Sequence, residues 1–174
     1  MNTNIQVRPI GPPQRDLLIA MYDRFEPLGA ALGLPPCTPD ARHHWIENVV
    51  SQIVTVAAFS PDGQVVGHCF LAADQPESAE IAVFVRQDFR RRGVGSELVK
   101  RALDFAAAKG VGHVWALTAT ENRAALQLLT TSGFRLMRFG SGTVELDIDL
   151  GAAACAVAVP CGRRFKESNV RKIT

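Results

Sequence analysis

The residues of this 174-residue chain best equipped for chemistry lie between Glu80 and Ser96, in the stretch EIAVFVRQDFRRRGVGS. Arg90, Arg91 and Arg92 place three guanidinium groups beside Gly93-Val94-Gly95 and the hydroxyl of Ser96. The run before them, Ile81 to Val85, is apolar and β-branched and reads as a buried strand. Beyond them Val94, Leu98, Ala102, Phe105 and Ala106 repeat with helical spacing. Strand, glycine turn and helix start together suit an anion: the first helical amides lack partners within the helix, and the dipole adds about half a positive charge there. Glycines at 93 and 95 let a phosphate approach the backbone without meeting a Cβ. Leu98 stands where a dinucleotide fingerprint needs a small residue, and the Gly-Lys-Ser/Thr of a Walker loop is absent.

The elements that must position these groups follow from periodicity. Ile5 to Ile10 alternates as a strand, Pro13 to Phe25 carries a helical stripe, and Glu26 to Cys37 is an irregular loop. Thr38-Pro39-Asp40 opens a second helix, reaching about Asn48 or Ser51. Ile53 to Ser60 and Gln64 to Ala72 flank Pro61-Asp62-Gly63 as a hairpin, and Asp74 to Ser78 connects to the central strand. His113 to Leu117 is a strand, Thr120 caps a helix over 121–131, and Ser132-Gly133 ends it. Phe134 to Phe139 and Thr143 to Leu150 close the order as a hairpin. The pattern predicts an α/β (α+β) domain over 1–150, a mixed, mostly antiparallel sheet of about seven strands flanked by about four helices, with one right-handed strand–helix–strand crossover. Residues 151–174 change character, from small and apolar to basic, and read as a C-terminal tail.

With 47% apolar residues the chain can bury one core, and a net charge of +2 implies no general affinity for nucleic acid or membrane. The N-terminus lacks the regions of a secretion signal, and Cys37, Cys69, Cys155 and Cys161 form no C-x-x-C pair. The expectation is a cytoplasmic protein without a structural metal. Cys69 and the two tryptophans, Trp45 and Trp115, read as core residues; of the adjacent His43 and His44 at most one can face a cleft.

Arg90-x-x-Gly93-x-Gly95 directly after a strand resembles the acyl-coenzyme A signature of the GNAT acetyltransferase superfamily, and Asn122-Arg123-Ala124-Ala125, followed by Gly133-Phe134, resembles that family's second motif. The resemblance covers about Ile53 to Leu150, and the two motifs look most like those of bacterial protein-lysine acetyltransferase domains. It implies the GNAT fold and acetyl-CoA as cosubstrate. The backbone of Val83, Phe84 and Val85 would pair with the pantetheine arm, and the amides of Arg91, Arg92, Gly93, Val94, Gly95 and Ser96 would hold the pyrophosphate, with Arg90 at the motif's usual Gln/Arg position. Asn122 and Ala125 belong to the second motif, Asn122 either bonding the pantetheine arm or satisfying its own helix. Glu80 matches a general base of the protein-lysine relatives; the rival reading is an exposed strand-end carboxylate in a surface ion pair.

One departure stands out. The family's usual tyrosine acid, seven residues after the motif asparagine, is Leu129 here, and Tyr22 is the only tyrosine. Thr130, Ser132 or water would have to protonate the leaving thiolate, unless its pKa of ~8.5 makes an acid dispensable. Two functions follow: an N-acetyltransferase using direct attack by an amine, of a small molecule or a protein lysine, or a non-catalytic acyl-CoA sensor. Sheet edges and an apolar tail leave room for a homodimer.

Overall fold

The computed structural model describes residues 5–29, 34–140 and 142–151; the expected tail, from residue 152, and part of the loop after Phe25 lie outside them. The elements run β1 (Gln6–Pro9), α1 (Arg15–Tyr22), α2 (Pro39–Val49), β2 (Val54–Phe59), β3 (Val65–Gln75), β4 (Ser78–Val85), α3 (Val94–Ala108), β5 (His113–Ala119), α4 (Arg123–Thr131), β6 (Arg135–Phe139) and β7 (Thr143–Asp149). The described residues form a seven-stranded sheet in the order β1-β2-β3-β4-β5-β7-β6. Every neighbouring pair is antiparallel except β4 and β5, which α3 connects. Among these residues no helix is long and apolar enough to cross a membrane.

Strand alternation sorts the core into two layers. Ala79, Ile81, Val83 and Val85 of β4 pack with Val94, Leu98, Val99, Ala102 and Ala106 of α3. Ala82 and Phe84, on the opposite face of β4, pack with Leu18, Met21 and Tyr22 of α1 and with Trp45, Ile46 and Val49 of α2. Helix α3 lies close to the sheet because Gly67 of β3 faces it. A Cβ there would stand 2.8 Å from Leu98 Cδ1 and 3.2 Å from the Phe84 carbonyl oxygen.

Several expected boundaries shift. Two prolines without amide hydrogens make the start of the first helix a 3-10 turn, Pro12–Gln14, and α1 then ends at Tyr22. The connection Asp74 to Ser78 shrinks to a two-residue turn, because β3 and β4 pair antiparallel as far as Gln75 and Ser78. The cap of α4 is Asn122, not Thr120.

Candidate active site

Strands β4 and β5 share only three rungs, Ser78–His113, Ala79–Val114 and Glu80–Trp115. Beyond Glu80 they part, although β4 continues to Val85 and β5 to Ala119. The edge of β4 that faces β5 is therefore open along Val83, Phe84 and Val85 and can accept an extended chain as an added strand. Glu80 sits at the apex of this opening. It is buried, 4% exposed, and is the third residue of its strand, so the reading of an exposed strand-end carboxylate is overturned.

Trp115 is half-buried instead of sealed in the core, and its indole Nε1 donates to Asp74 Oδ2 at 2.9 Å. Asp74 belongs to β3 and Trp115 to β5, so this bond spans β4. By alternation Ser78, Glu80, His113 and Trp115 share the face covered elsewhere by α1 and α2. Next to them His113 meets Ser78 Oγ at Nδ1 and Asp147 Oδ2 at Nε2, both at 3.3 Å. Sequence reading missed this row, although the alternation of His113, Trp115 and Leu117 carried its signal.

At the other end of β4 the chain turns through the arginines. The backbone is left-handed at Arg91, φ 57°, and at Gly93, φ 80°, where glycine is at ease and arginine is strained. The α3 ladder opens with the Glu97 amide bonding the Gly93 carbonyl at 3.1 Å, which leaves the amides of Val94, Gly95 and Ser96 for an anion. Gly95 has a second reason to be glycine: a Cβ there would press on Leu128 of α4 at 3.1 Å. Arg91 and Arg92 are exposed. Arg90 is committed differently, donating from Nε to the Val85 carbonyl at 2.8 Å and from Nη2 to the Glu26 carbonyl. Arg86 grips Asp88 with two bonds, Nε–Oδ1 at 2.7 Å and Nη2–Oδ2 at 2.6 Å, and these bonds hold the Asp88 carboxyl below the usual range.

Helix α4 brings the second motif alongside. Asn122 Oδ1 accepts from the Ala125 amide at 3.1 Å, which uses the side chain as a cap; among the described residues Nδ2 donates no hydrogen bond. Leu129 is 3% exposed and belongs to the α3 core layer. The hydroxyls of Thr130 and Ser132 donate back to helical carbonyls, Leu126 and Leu128, each at 2.8 Å. Tyr22 is fully buried, its hydroxyl 2.7 Å from His68 Nδ1. Burial holds the Tyr22 phenol well above its ordinary pKa and lowers the His68 pKa to about 3. His44 is exposed beside Glu47, whereas His43 Nε2 is buried with no hydrogen-bond partner among the described residues.

An anion cradle at the start of α3, joined by an open strand edge to a carboxylate at a strand fork, matches what the family comparison finds: the model of the acetyltransferase (GNAT) family matches residues 18–134. The chain belongs to the GNAT family. It is 27% identical over 110 residues to streptothricin acetyltransferase of Streptomyces lavendulae, a match covering 62% of this chain and 58% of that one. It thus spans little more than half of that relative's length. Among solved structures, the GNAT domain of S. lividans PAT superposes with a TM-score of 0.73 at 21% identity, covering 83% of this chain and 90% of that one. A GNAT superfamily phosphinothricin acetyltransferase from Sinorhizobium meliloti, in complex with AcCoA, gives 0.71 at 17%, covering 88% and 93%. These likenesses establish the GNAT fold. The residues present suit acetyl-CoA: helix-start amides for a pyrophosphate, an open strand edge for an amide-bearing arm, and a carboxylate at the strand fork.

Proposed function

We propose that the protein is an acetyl-CoA-dependent N-acetyltransferase acting on a primary amine of a small molecule. The observation that carries this reading is the parting of β4 and β5 after the Glu80–Trp115 rung. From Glu80 to Val85 an extended strand covers about 17 Å, so an arm anchored by phosphate at α3 and laid along β4 ends beside Glu80. Val83, Phe84 and Val85 align it, and Arg91, Arg92 and the amides of Val94, Gly95 and Ser96 hold its charged end.

An amine of pKa ~10.4 is protonated at neutral pH and must lose that proton before it attacks. Glu80 takes it. The nitrogen then bonds to the thioester carbonyl carbon, gives up its second proton to water as the carbon–sulfur bond breaks, and coenzyme A leaves as thiolate, a fair leaving group at pKa ~8.5. Water supplies the thiolate's proton in this reading: Leu129 has no acid to offer, Tyr22 is sealed and tied to His68, and Thr130 and Ser132 point their hydroxyls at their own helix. A small acceptor, as opposed to a protein lysine, is supported by the relative named for streptothricin.

The test is release of coenzyme A thiol from acetyl-CoA in the presence of small amines, amino acids and lysine peptides. Turnover with small amines is the expected result. Silence across the panel with acetyl-CoA bound would identify an acyl-CoA sensor, and turnover confined to lysine peptides would assign a protein substrate.

A further inference from the structure

The two faces of the sheet divide the substrates. Helix α3, whose first turn receives the phosphates, covers the face of Ile81, Val83 and Val85. Glu80 lies on the opposite face, so an acceptor meets it from there. On that face the Asp74–Trp115 bridge spans β4 at the level of the Ser78–Glu80 rungs, and Trp115 is the partner of Glu80 across the β4–β5 ladder.

We infer that Trp115 and Asp74 select the acceptor, and that they select one carrying a second positive charge, a compact diamine. This rests on the acetyltransferase reading above. The half-buried indole offers a ring to an ammonium and its carbon chain, and Asp74, fixed by the indole N–H, offers a carboxylate beside it. One strand further on the same rung stands Asp147, 8% exposed, whose Oδ1 is buried and makes no hydrogen bond among the described residues. Its other oxygen, Oδ2, meets His113 Nε2 at 3.3 Å, and Arg135 Nε stands 3.9 Å from Oδ1.

The chemistry disfavours an α-amino acid. Neither Arg135, which already bonds Asp149 at 3.0 Å, nor Arg42, which is buried between Asp23 and the carbonyls of Pro36 and Cys37, offers an uncommitted cation to a substrate carboxylate. With one ammonium at Asp74, the other amine of a diamine is free to lose its proton to Glu80 and be acetylated.

The experiment compares KM and kcat for 1,4-diaminobutane, butylamine and norvaline in wild-type protein, Asp74→Asn and Trp115→Phe. Wild type is expected to prefer the diamine, and each substitution to raise the diamine KM about 10-fold more than the butylamine KM, with the KM for acetyl-CoA unmoved. Equal rises for both amines would mark Asp74 and Trp115 as structural and overturn the inference. Preference for norvaline in wild type would overturn it while leaving the transferase reading intact. Absence of turnover with every amine would remove both.

Discussion

The hydrogen bond from Trp115 Nε1 to Asp74 Oδ2, 2.9 Å long, ties the third strand of the sheet to the fifth across the strand that carries Glu80. Side chains from β3 and β5 thus meet above the point at which β4 and β5 begin to separate. The fork is a backbone feature, set by where the parallel ladder stops, whereas the chemistry around it is set by side chains on one face of three strands.

Glu80→Gln keeps the shape of the buried side chain and removes the proposed proton acceptor. The expected outcome is a fall in kcat of about 10²- to 10³-fold with the dissociation constant for acetyl-CoA nearly unchanged. Titration of acetyl-CoA by calorimetry, beside the thiol-release assay, checks both halves.

Gly67→Ala tests how closely α3 must lie on the sheet. The new methyl would meet Leu98 Cδ1 at 2.8 Å, which can rotate away, and the Phe84 carbonyl at 3.2 Å, which moves only with β4. A loss of about 1–3 kcal/mol is expected, read as a lower urea midpoint. Weaker acetyl-CoA binding should accompany it, since the first turn of α3 shifts with the helix.

Leu129→Tyr places the family's usual acid in its usual position. Here that position is 3% exposed and packed in the α3 layer, so the larger ring overfills the core. Destabilisation of about 1–3 kcal/mol with no gain in kcat is expected, from thermal melts and steady-state rates of the same preparation.

His68 gives a pH signature. Its pKa in the fold, lowered by burial to about 3, lies below the ordinary 6.5. Between these values the unfolded chain holds a proton on this residue and the folded chain does not, so stability is full above pH ~6.5 and declines as pH falls. The slope from this group alone is on the order of 1 kcal/mol per pH unit below its ordinary pKa. His68→Phe should cost stability at neutral pH, because the Tyr22 hydroxyl loses its partner, yet flatten the acid limb relative to wild type. Urea midpoints from pH 7 to pH 4 measure the difference.

Much of this fold was legible in the sequence because its strongest signals are local. The Pro61-Asp62-Gly63 turn, the stripe of α3 and the glycine at 133 each fix geometry within a few residues, and the element order follows from them. The glycine turn that opens α3 was legible for the same reason. Long-range facts were not. That Gly95 makes room for Leu128 depends on α4 crossing α3, and that Arg90 spends its charge on Val85 and Glu26 depends on a loop folding back. Trp115 looked like a core residue because its composition is that of one; only the register of three strands shows that it reaches Asp74. Asn122 serves as the cap predicted at Thr120, since the helix begins later than its polar lead-in suggests.

The central claim, amine acetylation beside Glu80, is tested most directly by following thiol release from acetyl-CoA with a saturating small amine, in wild-type protein and in Glu80→Gln. The account predicts turnover in wild type, an acetylated amine in equal amount by mass spectrometry, and at least about 10²-fold slower release in the variant. Equal rates in the two proteins, or acetyl-CoA binding with no acetylated amine, would contradict it.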